Sequence, residues 1–219
     1  SLRKRSVSPA ITASAEPCAR ERGAIGPAAV RSTPCDPLTG QCSALYDNVA
    51  DSDENNTGHG GAIYVSDSTL RVDQTTLHRN SATRGGAIYQ AGAAASAQVA
   101  NSLIYSNTVR EQWGAGIRRS SGAFTVTHTT LANNVGGSGF SGVASAAFNT
   151  IAWSNDGYPG FSTAPVVAEC NIDDGGYAGL SADPHFVAPG PGEDYRLGGG
   201  SPAIDACADG LAVDLDGVP

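Results

Sequence analysis

The chain has 219 residues, of which 28 are Gly and none is Met, and aromatic residues make up only 6%. This composition favours many short strands joined by tight turns over long helices. The formal net charge of −8 argues against nucleic acid as a partner, because binding to a phosphate backbone needs clustered Lys and Arg. No apolar run approaches the roughly 20 residues of a membrane-spanning helix, so no membrane span is predicted.

The sequence pattern divides the chain into three predicted parts. Residues 1–37 are rich in Ala, Pro and charged residues, carry no repeat, and are predicted to form an N-terminal cap or an extended segment. Residues 38–155 carry a degenerate repeat. Residues 156–219 are predicted to hold the last turns of the same structure and a C-terminal cap region, continuous with the repeats.

The most regular part of the repeat is a block of four residues that begins with an apolar residue and ends with Asn. Its five copies end at Asn48, Asn80, Asn107, Asn134 and Asn155. These asparagines are separated by 32, 27, 27 and 21 positions. Such spacing is typical of a solenoid whose coils have loops of variable length.

Short alternating segments precede each block and predict strands. Leu70 and Val72 stand ten and eight positions before the next repeat Asn, and alternation at period two is typical of a strand. A glycine-led segment, Gly60-Gly61-Ala-Ile-Tyr64 and its weaker copies, predicts a further strand in each coil. Stacked coils bury their apolar residues in columns. The predicted columns are Ile63, Ile88, Ile117 and Val143, and Leu45, Leu77, Ile104 and Leu131.

The recurring asparagines are predicted to form a ladder inside one corner of the coils. A short amide side chain tolerates the left-handed backbone of a sharp turn, and stacked amides can hydrogen-bond the backbone and one another. The alternative is that these asparagines are only surface turn residues. Five copies in phase favour the ladder.

The pairing of Gly-Gly-Ala-Ile with a later apolar-x-x-Asn, over residues 38–155, resembles the repeats of the polymorphic outer-membrane proteins and of related pectate-lyase-like β-helix proteins of bacteria. In the tail, Ala182-Asp-Pro-x-Phe186, Ser201-Pro-Ala-Ile-Asp205 and Asp214-Leu-Asp-Gly217 resemble the ends of many secreted bacterial right-handed β-helix proteins. The resemblance implies a secreted or cell-surface protein. The predicted fold is all-β, a right-handed parallel β-helix (solenoid) of about five or more coils with capped ends.

The cysteines are predicted to form disulfides, because they include no CxxC pair and no His at zinc-finger spacing. They cluster towards the two ends of the chain, which would suit staples on the terminal regions of a solenoid in an oxidising compartment. One cysteine of the five is left over. They are Cys18, Cys35, Cys42, Cys170 and Cys207.

Catalytic chemistry is not predicted from the pattern. No strand phase brings two acidic residues onto adjacent coils, and the four histidines are dispersed, so no catalytic residue, metal site or cofactor is predicted. Arg84 and Glu111 each stand four residues after a repeat Asn and are expected to form an exposed ion pair that contributes little.

Two rows of mostly aromatic residues are the candidate binding residues, because they point outward if the Leu and Ile columns point inward. One row is Tyr46, His78, Tyr105 and Trp153, and the other is Tyr64, Tyr89 and Arg118. Flat rows of this kind can stack on sugar rings or receive a protein partner. The alternative is that outward aromatic side chains only cover neighbouring strands.

The sequence therefore predicts an extracellular structural or adhesive surface module. Its expected partners are a polysaccharide or a cell-surface protein, or a second copy of the chain bound through the ends of the coils. The alternative is a polysaccharide lyase or glycoside hydrolase acting on an extracellular polysaccharide, with catalytic residues from loops of different coils. The fold by itself does not choose between these functions.

Overall fold

The computed structural model describes residues 43–50 and 58–204. This part of the chain is all-β, with a single short 3₁₀ helix at Gly190–Gly192. The strands are β1 (Ser43–Tyr46), β2 (Ile63–Ser66), β3 (Thr69–Asp73), β4 (Thr75–His78), β5 (Ser81–Ala82), β6 (Ile88–Ala91), β7 (Ser96–Ala100), β8 (Leu103–Tyr105), β9 (Thr108–Val109), β10 (Ile117–Arg119), β11 (Ala123–Thr127), β12 (Thr130–Ala132), β13 (Phe140–Ser141), β14 (Ala146–Phe148), β15 (Ile151–Trp153), β16 (Val167–Glu169), β17 (Ile172–Asp173), β18 (Phe186–Ala188) and β19 (Asp194–Leu197).

Most of these strands belong to three parallel sheets. Sheet 1 has the order β1-β4-β8-β12-β15-β17, sheet 2 the order β2-β6-β10-β13, and sheet 3 the order β3-β7-β11-β14-β16. Strands β5 and β9 form a small parallel pair, and β18 and β19 form an antiparallel hairpin. Along the chain, a strand of sheet 2 is followed by one of sheet 3 and one of sheet 1, and this order recurs from β2 to β15. The recurrence is consistent with the predicted solenoid.

The predicted apolar column of sheet 1 is confirmed. Its members are aligned across neighbouring strands in the order Leu45, Leu77, Ile104 and Leu131. Three of the four are fully buried, and Leu45 packs against the same core. The column continues through Ala152 and ends at Asp173 in β17.

The predicted column of sheet 2 is correct for three members and wrong for the fourth. The aligned residues are Ile63, Ile88, Ile117 and Phe140. Phe140 is fully buried between Phe124 and Phe161, with ring centroids 5.3 and 5.6 Å away, whereas Val143 is 37% exposed. Phe140 stands only six positions after Asn134, a shorter spacing than between the ladder asparagine and the aligned isoleucine in the earlier repeats. The glycine pattern therefore predicts the buried residue too far along the chain, at Val143.

Close backbone packing explains the second glycine of the Gly-Gly pairs. A Cβ atom at Gly61 would collide with the carbonyl oxygen of Gly86, and one at Gly86 would collide with the carbonyl oxygen of Ala115. Successive repeats therefore approach each other closely at the entry to the strands of sheet 2, where only glycine fits.

The five repeat asparagines lie buried in the corner that follows sheet 1. They are Asn48, Asn80, Asn107, Asn134 and Asn155, and each is at most 2% exposed. The Nδ2 of each amide donates to the Oδ1 of the next at 2.8–3.0 Å. The backbone N–H of each donates to the same oxygen. Each Oδ1 inside the stack thus accepts two hydrogen bonds from the preceding coil.

The left-handed residue of this corner is the one before each ladder asparagine. These residues are Asp47, Arg79, Ser106, Asn133 and Ser154, with φ between 50 and 56°. The expectation that asparagine recurs because it tolerates a left-handed backbone is therefore wrong. It recurs because a buried stack needs a side chain that both donates and accepts hydrogen bonds.

A second buried polar column, not predicted, precedes the strands of sheet 1. Its hydroxyls donate to the carbonyl oxygen two residues earlier at 2.6–3.0 Å, and they stand five positions before a ladder asparagine. Asn171 extends the column by accepting the backbone N–H of Thr150 at 2.9 Å. The hydroxyl-bearing members are Thr75, Ser102, Thr129 and Thr150. This column satisfies backbone groups at the opposite end of the strands from the ladder.

A buried carboxylate closes the core column of sheet 1. Asp173 is fully buried, and its two oxygens accept four backbone N–H groups at 2.8–3.2 Å. The donors are Phe161, Gly175, Tyr177 and Ala178. Charge-assisted hydrogen bonds of this kind tie the chain after β17 across the end of the core.

Several predictions fall on residues outside the described ranges. The predicted N-terminal part, residues 1–37, and four of the five cysteines, Cys18, Cys35, Cys42 and Cys207, lie there. The remaining cysteine, Cys170, is described and is not a free thiol. The pairing of the cysteines stays a prediction. Across residues 43–50 and 58–204, no helix is long and apolar enough to cross a membrane.

Candidate functional site

The first predicted row lies on the outer face of sheet 1. Tyr46, His78 and Tyr105 are aligned on neighbouring strands, and their rings stack with centroids 5.1 and 4.9 Å apart. Trp153 belongs to the same row but is separated from Tyr105 by the small side chain of Ala132. The row is therefore a continuous stack over three strands, with the tryptophan apart from it.

The hairpin of β18 and β19 covers the middle of this row. Tyr195 contacts Tyr105 with ring centroids 4.9 Å apart, and Phe186 packs edge-on against Tyr195. Tyr105 is only 5% exposed as a result. This cover is not predictable from the repeat, because Tyr105 and Tyr195 are 90 positions apart and their contact follows no period of the repeat.

Glu193 fastens the hairpin at the same place. Its carboxylate accepts the hydroxyl of Tyr105 at 3.1 Å and pairs with the guanidinium of Arg79 at 3.1 Å. Burial, followed by the charge of Glu193, raises the pKa of Tyr105 far above its usual value. Tyr105 is thus a buried hydrogen-bond donor within the protein. The first row, which we call the Tyr46 row, is therefore covered at Tyr105 by another segment of the same chain.

The second predicted row lies on the outer face of sheet 2, where Tyr64 is exposed but Tyr89 is only 7% exposed. Tyr64, Tyr89, Arg118 and Ser141 are aligned across the four strands. The rings of Tyr64 and Tyr89 stack at 5.6 Å, and His59 stacks on Tyr89 at 4.5 Å. Tyr64 is 45% exposed.

A neighbouring column adds two side chains that the sequence analysis missed. His59, Arg84 and Trp113 each precede a left-handed glycine, and backbone hydrogen bonds join these positions from coil to coil. Trp113 is 47% exposed. The signal was present in the sequence, since these residues hold one fixed position before Gly60, Gly85 and Gly114. We call His59, Tyr64, Tyr89, Trp113 and Arg118 the aromatic face.

Arg118 lies at one end of the aromatic face, on β10. Its guanidinium lies over the ring of Trp113, 4.4 Å from the ring centroid, and its Nη1 donates to the hydroxyl of Ser141 at 2.8 Å. It forms no ion pair with a carboxylate of the described residues. Burial, and then the nearby charge of Arg84, lowers its pKa.

The other charged groups of this face are either paired or neutral. Arg84 forms an ion pair with Glu111, which confirms the pairing expected from their positions in the repeat. Burial, and then the charge of Arg84, lowers the pKa of His59, so this imidazole is neutral at pH 7. The aromatic face therefore combines flat rings with one cation that has no carboxylate partner in the described part of the chain.

The two predicted rows lie on different sheets and do not form one site. Among the described residues, no cluster of three or more His, Cys, Asp or Glu could hold a metal ion. No protein family model, curated protein or solved structure matches the chain.

Proposed function

We propose that the chain is a secreted or cell-surface right-handed parallel β-helix of about five coils, which serves as an adhesive module by binding carbohydrate through the aromatic face. The parallel sheets, the order in which their strands recur and the buried ladder support the proposed solenoid. The resemblance of the repeats to those of bacterial surface and secreted β-helix proteins supports the proposed location.

The observation that carries the proposal is the exposure of two large rings, Tyr64 on sheet 2 and Trp113 in the loop before β10. Tyr64 and Trp113 are nearly half exposed although they are large and flat, and Tyr64 stacks on the buried ring of Tyr89. Rings fixed by such packing lose little conformational entropy on binding. An exposed ring with a polar neighbour suits the apolar face and the hydroxyls of a sugar.

The aromatic face is favoured over the Tyr46 row by its accessibility. Tyr105 lies under the C-terminal hairpin and uses its hydroxyl on Glu193, so the Tyr46 row offers no uninterrupted surface to a ligand. By contrast, the exposed Tyr64 lies on β2 of sheet 2, and the exposed Trp113 lies against Arg118 of β10 in the same sheet.

The test is binding of the purified chain to a panel of neutral and acidic polysaccharides, with Trp113→Ala and Tyr177→Ala as matched variants. Trp113→Ala is expected to weaken binding at least about tenfold, because a central aromatic anchor contributes more than its neighbours. Tyr177 is 53% exposed but lies outside the aromatic face, so Tyr177→Ala is expected to bind like the wild type.

Three results would contradict the proposal. Equal losses in the two variants would show that exposed rings bind without regard to position. Release of new reducing ends or unsaturated products would indicate an enzyme instead of a binding module. Failure to bind any polysaccharide would leave a protein partner or self-association as the function to test.

A further inference from the structure

We infer that Arg118 and Trp113 form a subsite for an oxyanion carried on a sugar ring, either a carboxylate or a sulfate. The inference rests on the proposed function, since the aromatic face must hold the ring, and it names the chemical class of the ligand. It is unexpected for a chain with a net charge of −8, because a polyanion is repelled by the protein as a whole.

The first argument is that Arg118 has hydrogen-bond donors to spare. A guanidinium carries five N–H groups in a planar fork. Only Nη1 is engaged by the described residues, and its acceptor is the neutral hydroxyl of Ser141. None of the guanidinium nitrogens is a buried atom without a partner, so the remaining donors are open to solvent. They suit the two oxygens of a carboxylate or sulfate.

The second argument is that the guanidinium is already oriented. The ring of Trp113 lies against one face of the guanidinium, with its centroid 4.4 Å away, and Ser141 fixes one edge. A ligand therefore orders little of the side chain when it binds, which improves affinity. Trp113 is 47% exposed while it contacts this guanidinium, so its ring can receive the sugar that carries the anion.

The third argument concerns charge. Arg71, Arg79, Arg84 and Arg196 each pair with a carboxylate. Arg118, in contrast, is half-buried and pairs with no carboxylate of the described residues. Desolvating a cation without a partner is costly, and a nearby second cation adds to the cost. An anionic ligand would offset both effects at once, and a neutral sugar would offset neither.

The experiment compares polysaccharides that differ only in charge. The pairs are polygalacturonate with its methyl-esterified form, and dextran sulfate with dextran, each titrated into wild type, Arg118→Gln and Arg71→Gln. The wild type is expected to bind at least one charged polymer about tenfold or more tighter than its neutral counterpart, as charge-assisted hydrogen bonds predict. The pair that shows the difference identifies the anion.

Arg118→Gln is expected to remove this discrimination, and Arg71→Gln to keep it. Arg71 is the matched control, because it is an exposed arginine of sheet 3 paired with Asp73, and its substitution changes the net charge equally. Arg118→Lys keeps the charge but loses the fork, so it is expected to retain only part of the discrimination. It also serves as the test if thermal melting shows that the glutamine variant is unfolded.

The outcomes separate the inference from the proposed function. Equal binding of charged and neutral polymers, reduced by Trp113→Ala, would overturn the subsite and leave the proposed function in place. Binding of no polymer would overturn both. Binding of polyglutamate as tight as that of polygalacturonate would show that the site recognises a carboxylate without a sugar ring, which would also overturn the inference.

Discussion

Replacing Asn107 by Ala removes the central member of the ladder. The backbone N–H of Asn80 donates to the Asn107 side chain at 3.0 Å and would be left buried without a partner. The amide bonds from Asn80 and to Asn134, both between buried side chains, would be lost as well. An orphaned N–H costs about 1–3 kcal/mol and each lost bond about 1 kcal/mol, so unfolding free energy should fall by about 3–5 kcal/mol.

Asn48→Ala is the matched control, because Asn48 ends the same ladder. Its Oδ1 has no hydrogen-bond partner among the described residues, and its Nδ2 makes one bond, to Asn80 at 2.8 Å. In this variant the Oδ1 of Asn80 still accepts a hydrogen bond from the backbone N–H of residue 48. The expected loss is therefore only about 1 kcal/mol.

Urea unfolding followed by far-ultraviolet circular dichroism measures both variants, with the midpoint and slope giving the free energy of unfolding. The reasoning predicts that the central variant is less stable than the terminal one by at least about 2 kcal/mol, the difference between the two estimates. A difference below about 0.5 kcal/mol would refute the argument that buried amide pairs stabilise the stack.

Three further predictions concern stability. Ser106→Gly should stabilise the chain by about 0.5–1 kcal/mol in the same urea assay, since Ser106 has a φ of 53° that glycine adopts without strain; a loss of stability would contradict this. Asp173→Asn should destabilise by about 2–4 kcal/mol, because an amide NH2 would face two of the four backbone donors; an unchanged melting temperature would contradict it. Burial lowers the pKa of His59, His78 and His128, so the unfolded chain binds more protons below pH 6.5. Stability should therefore fall as pH is lowered from 7.5 to 5, and melting curves that do not shift over this range would count against it.

The repeat predicted the inner structure where its period was constant. Leu77, Ile104 and Leu131 stand three positions before a ladder asparagine, and this spacing does not depend on loop length. The prediction failed at Phe140, because a loop in the fourth coil is shorter and the spacing from the asparagine changes. Position counting thus works inside a strand and its adjoining corner, but not across a loop.

The outer surface was predictable only in part. The register of Tyr64, Tyr89 and Arg118 followed from alternation along their strands. Trp113 is not part of the glycine motif as it was defined, because the motif starts at Gly114 and Trp113 stands one position before it.

The cover over Tyr105 could not be predicted from the pattern. It depends on a hairpin that carries no repeat and on a single carboxylate, Glu193, whose partners are remote in sequence. Whether an outward ring faces solvent or protein is decided by such contacts between distant segments.

The chain has only two tryptophans, Trp113 in the loop before β10 of sheet 2 and Trp153 in β15 of sheet 1, and this separation provides the most direct test of the aromatic face. We would record the indole N–H signals of Trp113 and Trp153 by two-dimensional nuclear magnetic resonance while adding the polysaccharide that binds most tightly. The account predicts that the Trp113 signal shifts in proportion to the bound fraction and that the Trp153 signal stays in place. A shift confined to Trp153, or binding with neither signal moved, would contradict it.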